Sequence, residues 1–112
     1  MSVSSLDNNK KLSVIFRVEP GSLGPDGMDH VEAYCAMAQQ ELGSRLEHFV
    51  RWQFVPRYDK SKPEIEYGVG NKRITEAQAE KYLSLFKQDK EDFETDLVVG
   101  VSRLINVFFG RA

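Results

Sequence analysis

From Leu12 to Glu19 the chain alternates, with Leu12, Val14, Phe16 and Val18 apolar and Ser13, Ile15, Arg17 and Glu19 between them. A period of two is that of a strand, so this stretch predicts a strand with one wholly apolar face. Pro20-Gly21 ends it, and the turn formers from Ser22 to Gly27 predict an exposed connection. A helix is then expected over about 30–48. Val31, Cys35, Ala38, Leu42, Leu46 and Phe49 recur at steps of three and four, and Asp29 stands three residues before Glu32 in capping-box spacing. Gly43 weakens that helix slightly.

Val50, Trp52 and Phe54 alternate with Arg51, Gln53 and Val55, so a second strand follows, and Pro56 belongs at its edge or end. Asp59 to Pro63 is a polar loop. Ile65, Tyr67 and Val69 alternate with Glu64, Glu66 and Gly68, and Gly70-Asn71-Lys72 reads as a hairpin turn into a short fourth strand through Arg73 and Ile74. Thr75 and Gln78 have capping-box spacing before Ala79, Tyr82, Leu83 and Phe86, predicting a helix over about 76–87. A last helix over about 90–109 follows from Phe93, Leu97, Val98, Val101, Leu104, Ile105 and Phe108, and Gly110 is its stop.

The element order, β-α-β-β-(β)-α-α, implies an α+β fold: a small, mostly antiparallel sheet of three or four strands with three helices packed on one face. In element order alone it resembles the strand–helix–strand–strand–helix domains of small bacterial DNA-damage-inducible regulators, a likeness from which no function follows. Residues 1–10, rich in Ser, Asn, Asp and Lys, are expected to form a flexible N-terminal arm, and 11–112 a single domain.

The chain has 112 residues, 15 Lys+Arg against 17 Asp+Glu, a net charge of −2, 41% hydrophobic residues and one cysteine. That suits one core and excludes a disordered chain and a simple polycationic coat. No apolar run approaches a membrane span, and the first residues lack a signal-peptide pattern. One cysteine makes no intramolecular disulfide, so a reduced, cytoplasmic setting is expected.

Candidate chemistry is sparse. Cys35 is the one thiol, but it lies on the apolar stripe, about 140° around the expected helix from His30 and about four turns along it from His48. Two histidines, one thiol and scattered carboxylates do not assemble a metal site by spacing. Gly21, Gly24 and Gly27 stand between a strand and a helix, where phosphate loops occur. The run nevertheless lacks a Gly-Lys-Ser/Thr ending, Pro25 removes a donor, and Asp26 and Asp29 repel phosphate. Glu64 and Glu66 share one side of their strand and are best read as ion-pair partners of Arg17, Arg51 or Arg57. These residues call for no catalytic constellation, metal or cofactor.

Charge is distributed unevenly. Six basic residues (Arg51, Arg57, Lys60, Lys62, Lys72 and Arg73) and three acidic ones make 51–73 locally +3, a candidate nucleic-acid-binding region near Trp52, Tyr58 and Tyr67. Asp89, Glu91, Asp92, Glu94 and Asp96 against Lys90 make a −4 stretch, a candidate docking patch for a protein. Val98, Val99, Ile105, Val107 and Phe109 extend the apolar surface nearly around the last helix, which predicts self-association, unless that helix lies centrally with the other two flanking it. The sequence therefore points to a small non-enzymatic regulatory or inhibitory protein. It is expected to bind another protein, as a homodimer through the C-terminal helix and with no membrane partner. Nucleic-acid binding through 51–73 is the alternative, and an enzyme site built from distant residues is the third reading.

Overall fold

The computed structural model describes residue 7 and residues 9–111. Of the expected arm, 1–6 and 8 lie outside the described residues. Its end is tied down: the Lys10 and Lys11 amides donate to the Asp7 carbonyl, and the Tyr82 hydroxyl donates to the Lys10 carbonyl at 2.7 Å.

The fold is α+β, a four-stranded sheet with three helices. The strands are β1 (Leu12–Val18), β2 (Val50–Pro56), β3 (Ile65–Val69) and β4 (Lys72–Arg73), in the spatial order β2-β1-β3-β4. The β1/β3 and β3/β4 pairs are antiparallel and β1/β2 is parallel. A parallel pair needs a crossover, and α1 (Gly27–Leu42) supplies it. The alternation of β1 and β2 sorts side chains by face. Leu12, Val14, Phe16, Val18, Val50, Trp52 and Phe54 are buried with Tyr67 under the helices, while Ser13, Ile15, Arg51, Gln53, Glu66 and Gly68 lie on a face that no helix among the described residues covers.

Two expected boundaries are corrected. Helix α1 begins at Gly27 with Asp26 at its N-cap, so Asp29 falls in the first turn and forms no capping box with Glu32. The chain is helical that early because the 3₁₀ turn Pro20–Leu23, with Pro20 and Leu23 buried, docks on it: a Cβ on Gly27 would stand 1.7 Å from the Pro20 carbonyl oxygen. The other end falls at Leu42 and not near His48. Gly43 is the C-cap, where a Cβ would meet the Gln39 carbonyl at 2.2 Å, and Leu46 takes φ 52°. Phe49 is still buried, but it arrives through a turn and stacks on Phe86 at 4.1 Å between ring centroids.

Helix α2 (Glu76–Leu85) opens on the expected Thr75/Gln78 capping box, with both reciprocal hydrogen bonds formed. Helix α3 (Lys90–Phe108) is capped by Asp89, whose carboxylate accepts from the Asp92 amide. It packs against both α1 and α2, so it is the middle helix of the layer. Phe93 stacks on Trp52 at 5.3 Å, and the Tyr34 hydroxyl, fully buried, donates to the Val101 carbonyl at 2.6 Å.

The free edge of β2 is closed by a side chain. The Arg57 amide donates to the Val18 carbonyl, so odd positions here turn their backbone groups toward β1 and even positions toward the open edge. There the Gln39 amide of α1 donates to the Trp52 carbonyl and accepts from the Phe54 amide, both at 3.0 Å, and Pro56 has no N–H to leave unpaired.

Candidate binding surfaces

The groups available for chemistry are dispersed. Cys35 is 4% exposed, and burial pushes its thiol up to about 11, away from the thiolate a nucleophile needs. His30 packs edgewise on Phe108 and Phe109, and His48 on Phe49. Glu66 pairs with Arg17 at 3.0 Å, the partnership its strand position suggests. The glycine run is the 3₁₀ turn that holds Gly21, its C-cap Gly24 and the first residue of α1, Gly27. Among the described residues no three His, Cys, Asp or Glu side chains converge as metal ligands, and no helix is long and apolar enough to cross a membrane.

The acidic residues of α3 divide between two flanks. At about 100° per residue, Glu91 and Glu94 share one flank with Val98, while Asp92 and Asp96 lie roughly 120° and 160° from Val98. Glu91 and Glu94 are joined by two acids of α2 that sequence spacing did not single out: Glu76 and Glu80 line the same groove of about 390 Å³ with Ala77 and Lys90. Lys90 bridges Glu76 and Glu94, each at 3.1 Å, and its ammonium sits 5.9 Å from the Tyr67 ring centroid. Tyr67 donates to Glu94. Burial, reinforced by that carboxylate, drives the Tyr67 hydroxyl far above its ordinary range. Burial pulls the Lys90 ammonium down, but Glu76 and Glu94 outweigh it and hold it above its usual value. Lys90 thus braces α3 to α2 through Glu76, which stays solvent-exposed though paired, and leaves Glu80 and Glu91 as exposed carboxylates with no ion pair among the described residues.

The apolar residues of α3 divide in the same way. Val98, Val99 and Val107 are 46, 57 and 57% exposed, Phe109 is 36% exposed, and Ile105 is half-buried. Val98, Ile105 and Phe109 share the flank of Glu91 and Glu94, with Ser102 between them, all six within about 80° of arc. Val107 is on the opposite flank and Val99 near the back. One partner therefore cannot cover all five residues expected to self-associate. The flank that remains is a continuous strip, acidic at its start and apolar along its second half, ending at Phe109 under the Arg111 guanidinium, 5.2 Å from the ring centroid.

The six basic residues of 51–73 separate into two groups. Arg57 and Lys60 both pair with Glu19, and Arg57 also donates to the Lys60 and Lys62 carbonyls, so these cations are partly spent on holding the loop; Lys62 is exposed beside them. Arg57 and Lys60, with Glu19, border a hollow whose apolar walls are Pro20, Met28 and Tyr58. Arg51, Lys72 and Arg73 instead meet at the other end of the uncovered sheet face. They surround a depression of about 210 Å³ with Ser13, Ile15, Gln53, Glu66, Gly68 and Asn71. Trp52 and Tyr67 are 8% and 3% exposed on the helix side and cannot stack on a ligand there. Strand register brings this group together, since Ser13 pairs with both Arg51 and Gly68, and Gly68 with Arg73.

No protein family, curated protein or solved structure matches this chain.

Proposed function

We propose that this chain is a small non-enzymatic protein of the regulatory or inhibitory kind that acts by binding another protein, as a homodimer closed through α3. Although α3 lies centrally between α1 and α2, the arrangement set against self-association above, one of its flanks keeps an exposed strip, and that strip carries the reading because it is complementary to itself. Laid antiparallel on a second copy about a two-fold axis between Val101 and Ser102, Val98 meets the partner's Ile105 and Glu94 meets the partner's Phe109. Glu91 then comes opposite the partner's Arg111. Val98 and Ile105 bury each other, Glu91 meets a cation, and Ser102 stands beside the axis where the helices approach most closely. Glu76 and Glu80 border this seam and favour a partner with a basic surface. The buried, high-pKa thiol and the separated histidines support a role without catalysis, and the lone cysteine suits the reduced cytoplasm.

The test is solution mass by sedimentation together with capture from native lysate at moderate salt, with and without nuclease. The wild type is expected as a dimer, Val98→Glu as a folded monomer, and Val107→Glu, on the opposite flank, as a dimer still. A monomeric wild type, or a dimer broken equally by both substitutions, overturns the α3 seam. A nuclease-resistant protein captured stoichiometrically, and lost with Glu76→Lys/Glu80→Lys, supports the acidic docking border. Capture unchanged by that pair removes it.

A further inference from the structure

We propose that the depression at the Arg51–Arg73 end of the uncovered sheet face binds single-stranded nucleic acid through its phosphate backbone. The site lies on the opposite side of the sheet from the helices and goes beyond the α3 reading. Three observations converge on it. The first is register: Arg51, Ser13, Gly68 and Arg73 stand in one row across β2, β1, β3 and β4, so two small residues form a floor between two arginines. At a strand spacing of about 4.8 Å, the arginine Cα atoms are roughly 14 Å apart, with Lys72 beside the second. The second is charge. Arg51, Lys72 and Arg73 are exposed and form no ion pair among the described residues, whereas Glu66, the one acid lining the depression, is held by Arg17. An anion entering here meets three cations and an already neutralised carboxylate. The third is the shape and chemistry of the floor. Gly68 lets the β4 backbone approach, since a Cβ there would stand 2.9 Å from the Lys72 carbonyl oxygen, and Ser13, Gln53 and Asn71 supply neutral donors and acceptors around the half-buried Ile15. That suits an extended strand lying in a shallow trough.

Charge complementarity therefore selects a polyanion, and the trough's width, three strand spacings, selects one strand over a duplex. The absence of an exposed ring among the residues lining the depression makes the contact one with backbone and not with stacked bases, so binding is expected to be sequence-tolerant and strongly salt-dependent. For three phosphates neutralised on a single strand, log K falls against log salt with a slope of about −2, or roughly 20-fold between 50 and 200 mM salt.

Fluorescence anisotropy with a labelled oligothymidylate, titrated by the full chain across that salt range, reads both affinity and slope. The expected result is salt-dependent binding with that slope. In Arg51→Ala/Arg73→Ala the slope should fall to about −0.7, as one cation remains. Val107→Glu, on the helix side of the molecule and outside the α3 seam, should bind as the wild type does. Ser13→Glu is a second variant, which raises a like charge from the floor and should abolish binding while the circular dichroism spectrum stays native. No binding at 50 mM salt overturns the proposal, as does binding that survives both sheet-face variants. A duplex of equal length binding as tightly, or polyglutamate competing as well as the oligonucleotide, overturns the assignment to a single strand.

Discussion

Replacing Gln39 by methionine removes the two hydrogen bonds that close the edge of β2 while keeping side-chain length and helix propensity nearly constant. The Gln39 amide touches the Trp52 carbonyl and the Phe54 amide at 3.0 Å each, and both residues are otherwise buried. Gln39 itself is exposed, so water reaches the edge once the amide is gone, and the loss is the net value of two hydrogen bonds. That is about 1 to 2 kcal/mol in total. With an unfolding entropy of about 2.1 cal/mol/K per residue, a chain of this size should melt roughly 4 to 9 °C lower. Gln39→Glu makes the test specific. The neutral acid can donate to Trp52 and accept from Phe54, whereas the carboxylate can only accept and faces the Trp52 carbonyl with like charge. The new carboxyl's folded pKa is therefore raised above its unfolded value of about 4.3. The clamp is intact below the unfolded pKa, and its stability is lost as pH rises through the folded pKa. The variant should approach the wild type at pH 4 and fall below it at pH 7 in thermal melts followed by circular dichroism. A methionine variant that melts with the wild type, or a glutamate variant whose deficit does not grow with pH, refutes the clamp.

Other substitutions probe the junctions that set the fold. Gly27→Ala places a methyl group against the Pro20 carbonyl, so the 3₁₀ turn must detach; a loss of about 3 kcal/mol is expected in chemical denaturation, and a stable variant would refute that packing. Tyr34→Phe removes the hydrogen bond from α1 to the Val101 carbonyl of α3 and should cost about 1 kcal/mol with the fold retained, as read by urea unfolding. Cys35 should react with a thiol reagent far more slowly in the native state than in denaturant at pH 8, because the thiol is both buried and shifted up to about 11; equal rates would place it at the surface.

Patterns carried by one segment were legible from the sequence. The alternation of β1 and β2, the Thr75/Gln78 box and the apolar face of α3 each follow from residues a few positions apart, and each is found where the spacing puts it. What depends on contact between distant segments was not. The end of α1 misleads because Leu46 and Phe49 keep helical spacing, yet Gly43 and the positive φ of Leu46 turn the chain away. The parallel β1/β2 pairing gives no local signal, nor does the reach of Gln39 to the strand edge. The sites divide likewise. The charge runs 51–73 and 89–96 are visible as runs, but strand register separates Arg51 and Arg73 from Arg57. Helix packing adds Glu76 and Glu80 to Glu91 while it turns Asp92 and Asp96 away.

The inner position of β1 has a consequence for how the chain is made. This strand is hydrogen-bonded on both sides, yet its partners begin at Val50 and Ile65, so β1 is synthesised before either strand that completes it. Until Val69 has emerged, Leu12, Val14, Phe16 and Val18 form an adhesive segment with at least one open edge, prone to pair with a neighbouring nascent chain. Translation that stalls in the polar loop before Pro63 should therefore yield aggregates and not a smaller folded unit, which makes the pace of the ribosome across β3 a determinant of yield.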